Sequence, residues 1–398
     1  MPTSSDRVAR LPVYALAAIP ARKRALAARG VDVIDLGAGD ADLSPPEAAV
    51  EELVRASHVS ALQRYGFGLG HVPFREAIAA WTHRRFGLEF DPMREVVPLL
   101  GSKEGIAHLA LGYLNRGDVA VVPEPGYIVY AGGTLLADAE PYRYALRPRT
   151  DFLLELDEIP DDVLSRTRLV YLNYPNNPTA AVAPRDYLQR VVERCRERDI
   201  LLVYDNAYSE LAFDGYRPPS IFEIPGADEV AVEFHSLSKT YNMTGWRCGW
   251  ALARPPIAEV LARVKSFVDT GTYMAIQAAG AAALADSESF IPRNVRIFAE
   301  RRDAAVAAFR EAGFDVTVPQ ATMYLWIPLP ESIPSAAFAE RLLEEEGVVV
   351  LPGSGFGEGG EGFFRISFIV DPDRLAEAAR RAGRVLASFT NGVGAGVR

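Results

Sequence analysis

RLVYLNYPNNPT, residues 168–179, opens as a strand and closes as a turn. Leu169 to Leu172 show no polar alternation, the pattern of a strand covered on both faces. Asn173, Pro175, Asn176 and Pro178 then shape a turn. A helical pattern follows Pro184, a residue type suited to a first helical turn, and a second apolar run, ILLVYD (200–205), comes after it. Strand, turn, helix and strand in this order build a parallel sheet.

The same texture extends in both directions. EVVPLL (95–100) precedes a helix from about Lys103 to Leu114, and DVAVVP (118–123) precedes a helical stretch beginning near Gly126. VAVEFHS (230–236) and GWALA (249–253) complete the set. The pattern predicts an α/β fold: a mostly parallel sheet with helices on both faces. From about residue 286 the pattern changes to a long helix (288–312), FDVTVP, TMYLWIPL, a helix near 335–346, VVVLPG, FFRISFIV and a last helix (373–388). Few strands with grouped helices predict a smaller α+β domain. At 398 residues the chain is long for one domain. The expected division is a large domain over 48–285, with 1–47 and 286–398 forming the small one. The tail NGVGAGVR (391–398) is expected to fray.

Composition narrows the function. Apolar residues make up 49% and charged residues 24%, an ordinary globular balance. The net charge of −10, with no basic block, argues against nucleic acid or an anionic membrane surface as partner. Cys195 and Cys248 stand far apart, which supports neither a disulfide framework nor a zinc knuckle and fits reduced thiols in the cytoplasm. His58, His71, His83, His108 and His235 form no metal-ligating pattern, so no metal is expected. LPVYALAAIPA (11–21) is interrupted by prolines and followed by RKR, unlike a signal peptide or a membrane span. It reads as a segment packed on the folded body.

In an open α/β sheet the ligand lies beyond the carboxyl ends of the strands. Those ends here read GSKE, PEPGY, NYPNNPT, DNAY and HSLSK. GSKE (101–104) opens a helix, where free N–H groups and the dipole favour a phosphate. Ser102, Ser236, Ser238 and Arg247 can add donors and charge to it. Asp205, at the end of a buried run, needs a cation or donors, although a strand-end aspartate also caps helices. Lys239, directly after a strand, can form a Schiff base, although most lysines are surface residues. Arg365, inside the strand FFRISF, offers a fork to a carboxylate or to an internal salt bridge. The Glu–Pro and Asn–Pro bonds of PEPGY and NYPNNPT are where cis peptides occur, and Tyr127 offers a plate for stacking.

Taken together these runs resemble the class I/II aminotransferases, fold-type-I pyridoxal-phosphate enzymes of the aspartate aminotransferase superfamily. SLSKTYNMTGWRCGW resembles the family's cofactor-lysine signature. LGAGDADLSPP (36–46), RYGFGLGHVPFREAIAAW (64–81), GSKEGIAHLALGYLNRGD (101–118), PGYIVY, YPNNPTA, YDNAYSEL and GFGEGGEGFFRISF follow the family's order. The resemblance covers nearly the whole chain. It implies pyridoxal 5'-phosphate, with Lys239 forming the aldimine and moving a proton, and Asp205 pairing with the pyridinium nitrogen. It further implies Asn177 and Tyr208 on the ring oxygen, Tyr127 stacked on the ring, and Ser102, Lys103, Ser236, Ser238 and Arg247 at the phosphate, with Ser238 also readable as a small residue that lets the lysine turn inward. Tyr65 would reach the cofactor of a second subunit, making a homodimer with shared sites. Arg365 would hold the substrate α-carboxylate, with Gly39 and Asn177 nearby. The implied reaction moves the amino group of an L-amino acid to a 2-oxo acid. A β-lyase, decarboxylase or oxidase on the same scaffold is the alternative, and a non-catalytic effector-binding protein a further one. Ala41, Ala180 and Ala321 depart from the family's residues. KSFVDTGTYMAIQ (265–277) has no arginine for a side-chain carboxylate, and Tyr14, Thr270, Thr272 and Tyr324 predict a mixed polar and aromatic pocket.

Overall fold

The computed structural model describes residues 2–11, 19–67 and 70–393. Its main sheet contains β2 (Val96–Leu99), β3 (Val119–Glu124), β4 (Glu140–Ala145), β5 (Thr167–Leu172), β6 (Leu201–Asp205), β7 (Ala231–Ser236) and β8 (Gly249–Ala253). Their order is β2-β8-β7-β6-β5-β3-β4, and only β8 runs antiparallel to its neighbours. The absence of polar alternation has a direct cause. Ala120, Val122, Leu169, Tyr171 and Val203 pack on one face with Ile106, Leu109 and Leu261 from the helices Ser102–Tyr113 and Pro255–Val268. Val121, Val170, Leu172 and Leu202 point to the other face, against Tyr187, Leu188 and Val192 of the helix Arg185–Arg198. Every second residue is buried against a different helix layer, so neither position tolerates charge.

The remaining strands form two smaller sheets. β1 (Ile34–Asp35) pairs in parallel with β10 (Val348–Val349). β11 (Leu351–Pro352), β12 (Phe363–Ser367) and β9 (Tyr324–Pro328) make an antiparallel sheet with β12 in the centre. Its core joins Phe298 and Phe309 of the helix Ser287–Glu311 to Phe338, Phe364 and Leu375. Tyr208 and Leu211, from the loop after β6, belong to this second core.

Four expectations change. β4 is a strand that the apolar pattern does not signal, because it is a sheet edge with Glu140 and Arg143 exposed. FDVTVP (314–319) forms no strand. Phe314 and Val316 are buried, but the Val316 carbonyl accepts from the Arg310 guanidinium (2.7 and 3.0 Å) instead of a neighbouring chain. The helix expected near Gly126 begins at Val129, and the last helix runs Pro372–Val393, through the start of the tail expected to fray. Residues 394–398, and with them the end of that tail, lie outside the described residues, as does Tyr14 with most of LPVYALAAIPA. The helix Ile19–Ala28 that follows packs Leu26 on Leu343 and Val349. No helix among the described residues is long and apolar enough to cross a membrane.

Candidate active site

The carboxyl ends of the strands surround one cavity. It is lined by Ser102, Lys103, Tyr127, Asn177, Asp205, Tyr208, Ser236, Ser238, Lys239 and Arg247, together with Gly39 from the segment after β1 and Arg365 from β12. Of the residues expected to form the substrate pocket, Thr270 and Thr272 are absent from this lining, the Thr272 hydroxyl donating instead to the Leu99 and Arg247 carbonyls. Of the expected cofactor and substrate contacts, only Tyr65 is absent. It is 68% exposed, beside Phe67, with ring centres 5.6 Å apart.

Lys239 sits on a single helical turn, Leu237–Thr240, started by Ser236, whose hydroxyl accepts the Ser238 N–H at 3.1 Å. This cap turns the chain sharply after β7 and aims Lys239 inward, where Nζ donates to the Gly39 carbonyl. A Cβ on Gly39 would collide with the Tyr324 hydroxyl, so a glycine is what lets the two segments meet.

Asp205 is buried at the end of β6. Its Oδ2 accepts from the Tyr130 hydroxyl at 2.8 Å, while Oδ1 has no hydrogen-bond partner among the described residues. Burial pushes its carboxyl up to about 6, opposed by the Tyr130 hydrogen bond. A half-satisfied buried carboxylate is the arrangement that a cationic N–H donor would complete. Asn173 fixes the neighbouring turn: Nδ2 donates to the Asp205 carbonyl (2.8 Å) and Oδ1 accepts the Asn177 N–H (2.8 Å). The peptide bonds before Pro125, Pro175 and Pro178 are cis.

The helix Ser102–Tyr113 starts at Gly101, whose φ of 80° suits glycine alone. Arg247 packs against that glycine, its Nη1 donating to the Thr244 carbonyl at 2.7 Å and its Nη2 to the Leu100 carbonyl at 3.4 Å. The N-terminus of this twelve-residue helix, with a guanidinium beside it, presents N–H donors and positive charge suited to an anion. Behind it, Lys265 Nζ bridges Glu104 (2.8 Å) and Asp269 (2.7 Å), so an ammonium already supplies the positive charge where Glu104, His108 and Asp269 converge.

Arg365 is central in β12 and buried. Its guanidinium donates to Asn177 Oδ1 at 2.8 Å and to the Gly37 carbonyl, and lies 4.2 Å from the Tyr324 ring centre. The Tyr208 and Tyr324 hydroxyls are 2.8 Å apart. Burial, and then Tyr324, hold the Tyr208 phenol well above its usual range, so it is a neutral donor at physiological pH.

Sequence reading marks Asn173 only as a turn residue and does not single out Tyr130 or Phe356. Tyr130 had one available signal, its place three residues after Tyr127 at the start of a helix, where both rings reach the same side.

The family model for aminotransferase class I and II matches residues 31–381. The LL-diaminopimelate aminotransferase of Moorella thermoacetica is 47% identical over 380 residues, covering 96% of this chain and 97% of that protein. Among solved structures, substrate-bound BacF from Bacillus subtilis superposes with a TM-score of 0.92 at 33% identity, covering 97% of this chain and 98% of that one. A probable N-succinyldiaminopimelate aminotransferase from Thermus thermophilus has a TM-score of 0.87 at 37% identity, covering 92% and 99%.

Proposed function

We propose that this chain, which belongs to the class I and II aminotransferases, works through the cavity around Lys239 and takes LL-diaminopimelate as an amino donor. The chain is an aminotransferase. The family implies pyridoxal 5'-phosphate, and the donor set suits it. The spare Oδ1 of Asp205 matches a protonated pyridine nitrogen, and the Ser102 helix start with Arg247 matches a phosphate. When bound, that cofactor supplies an electron sink for the charge that develops at the substrate Cα.

The chain's own residues supply the rest. Lys239 Nζ, which donates to the Gly39 carbonyl here, would be the base that takes the proton from the substrate Cα. Asp205 would keep the ring nitrogen protonated, Tyr208 and Asn177 would donate to the ring oxygen, and Tyr127 would lie against the ring. Ser102, the Lys103 backbone, Ser236, Ser238 and Arg247 would hold the phosphate. Arg365, with Gly39 and Asn177 beside it, grips the α-carboxylate and so fixes which Cα bond stands perpendicular to the ring.

The observation that carries this reading is the convergence in one cavity of an amine, a half-satisfied carboxylate, a helix N-terminus and a buried arginine. The donor comes from relatives named LL-diaminopimelate aminotransferase, at 43–47% identity. A homodimer belongs to the same reading: Tyr65, Phe67 and Phe267 lie exposed, and Tyr65 would complete the site of the second copy. So does the division into 48–285 and the two flanking segments, which the separate core around Phe298 and Phe364 supports. Two buried free cysteines accord with a cytoplasmic location.

The test is a visible spectrum of the holoenzyme. LL-diaminopimelate alone should bleach the cofactor band and stop after one half-turnover, and a 2-oxo acid should restore it. Continued turnover without the oxo acid would indicate a lyase or oxidase. Bleaching by phenylalanine but not by LL-diaminopimelate would remove the proposed donor.

A further inference from the structure

Glu124 ends β3, is buried, and has no part in the chemistry above. One carboxylate oxygen, Oε2, accepts from Arg143 Nη1 at 2.8 Å. The other, Oε1, accepts the backbone N–H of Gly359 at 3.1 Å. Two residues on, the Gly126 N–H donates to the Phe356 carbonyl at 3.2 Å. The end of β3 therefore grips the glycine-rich loop 353–362 at two points.

The loop's glycines make this approach possible. Gly357 has φ of 114°, and a Cβ there would collide with the Glu124 side chain. A Cβ on Gly359 would come within 2.7 Å of the Glu124 carbonyl oxygen. At the Gly126 grip the loop carries the Phe356 side chain into the cavity, with its ring centre 5.0 Å from the Arg365 guanidinium carbon and 5.9 Å from the Trp326 ring. Arg143 is half exposed, so solvent screens its ion pair with Glu124 and the pair contributes little. The part-buried, charge-assisted hydrogen bond from the Gly359 N–H to the Glu124 carboxylate is the stronger tie.

We propose that Glu124 is a positioning residue that latches the 353–362 loop onto the main sheet, and through Phe356 fixes the Arg365 guanidinium where the substrate carboxylate binds. This rests on the reading of Arg365 as the carboxylate anchor. Without the latch the loop lifts, Phe356 leaves the guanidinium, and carboxylate affinity falls while the phosphate and pyridine contacts remain.

The experiment compares the wild-type holoenzyme with Glu124→Ala, Glu124→Gln and Gly357→Ala. Hydrogen exchange, followed without substrate, should accelerate about tenfold over 353–362 and at Gly126 in Glu124→Ala. KM for both the amino acid and the oxo acid should rise about tenfold, with kcat and the cofactor absorbance band nearly unchanged. Glu124→Gln keeps an oxygen acceptor for Gly359 and should recover most of the affinity. Gly357→Ala should raise KM from the loop side. Unchanged exchange and KM in Glu124→Ala would overturn the latch. So would a parallel fall in kcat, substrate affinity and cofactor affinity, the mark of a merely structural role. An Arg365→Lys variant with unchanged KM would instead overturn the carboxylate reading, and the exchange data would still decide the latch.

Discussion

Burial holds the Asp205 carboxyl at about 6 instead of 3.8, so the folded chain without a cationic partner keeps its proton where an unfolded aspartate loses it. Between those values the native state binds more protons than the unfolded one. Its stability therefore falls as pH rises through the window and stays lower above it. The effect is on the order of 1–3 kcal/mol. Asp205→Asn removes the charge and keeps an acceptor for Tyr130. Stripped of cofactor, the variant should melt above the wild type at pH 8, and the difference should close toward pH 4. Equal melting at both pH values would contradict the burial argument. The same substitution should lower holoenzyme turnover by a factor of about 100 or more, because the ring nitrogen loses its carboxylate.

At the scale of elements, Ala180 stands at a backbone position meant for another residue. It follows the NNPT turn, where the family resemblance leads one to expect glycine, and its φ is 60°. A Cβ in the left-handed region costs about 1–2 kcal/mol, partly offset because alanine restricts the unfolded chain. Ala180→Gly should stabilise the protein by about 0.5–1 kcal/mol, read as a shift of the urea midpoint at constant slope. No shift would mean that the turn relaxes around the Cβ. The interior strands were legible in sequence because both faces are buried, which writes unbroken apolar runs such as Leu169–Leu172. Edge strand β4 was not, since one open side admits Glu140 and Arg143. FDVTVP misled in the opposite way, its apolar residues being buried by a helix while a side chain takes its carbonyl. The site was legible where residues follow strands directly, as Asp205 and Lys239 do. Glu124, Tyr130 and Phe356 act through partners far along the chain, and no local pattern marks such pairs.

At the scale of the molecule, Phe267 is 89% exposed and Phe67 82%, an arrangement that a second copy would cover. If the proposed dimer forms, Phe267→Asp should shift it to monomer in light scattering and weaken cofactor retention, since Tyr65 would then not reach the second site. A monomeric wild type with full activity would contradict the shared site. Everything else turns on one bond, the proposed attachment of the cofactor to Lys239. The most direct test is to reduce the holoenzyme with borohydride, digest it and locate the labelled lysine by peptide mass mapping. The label is predicted on the peptide containing Lys239, and preincubation with an effective amino donor should prevent it. Label on another lysine, or none on a holoenzyme that turns over, would contradict the account.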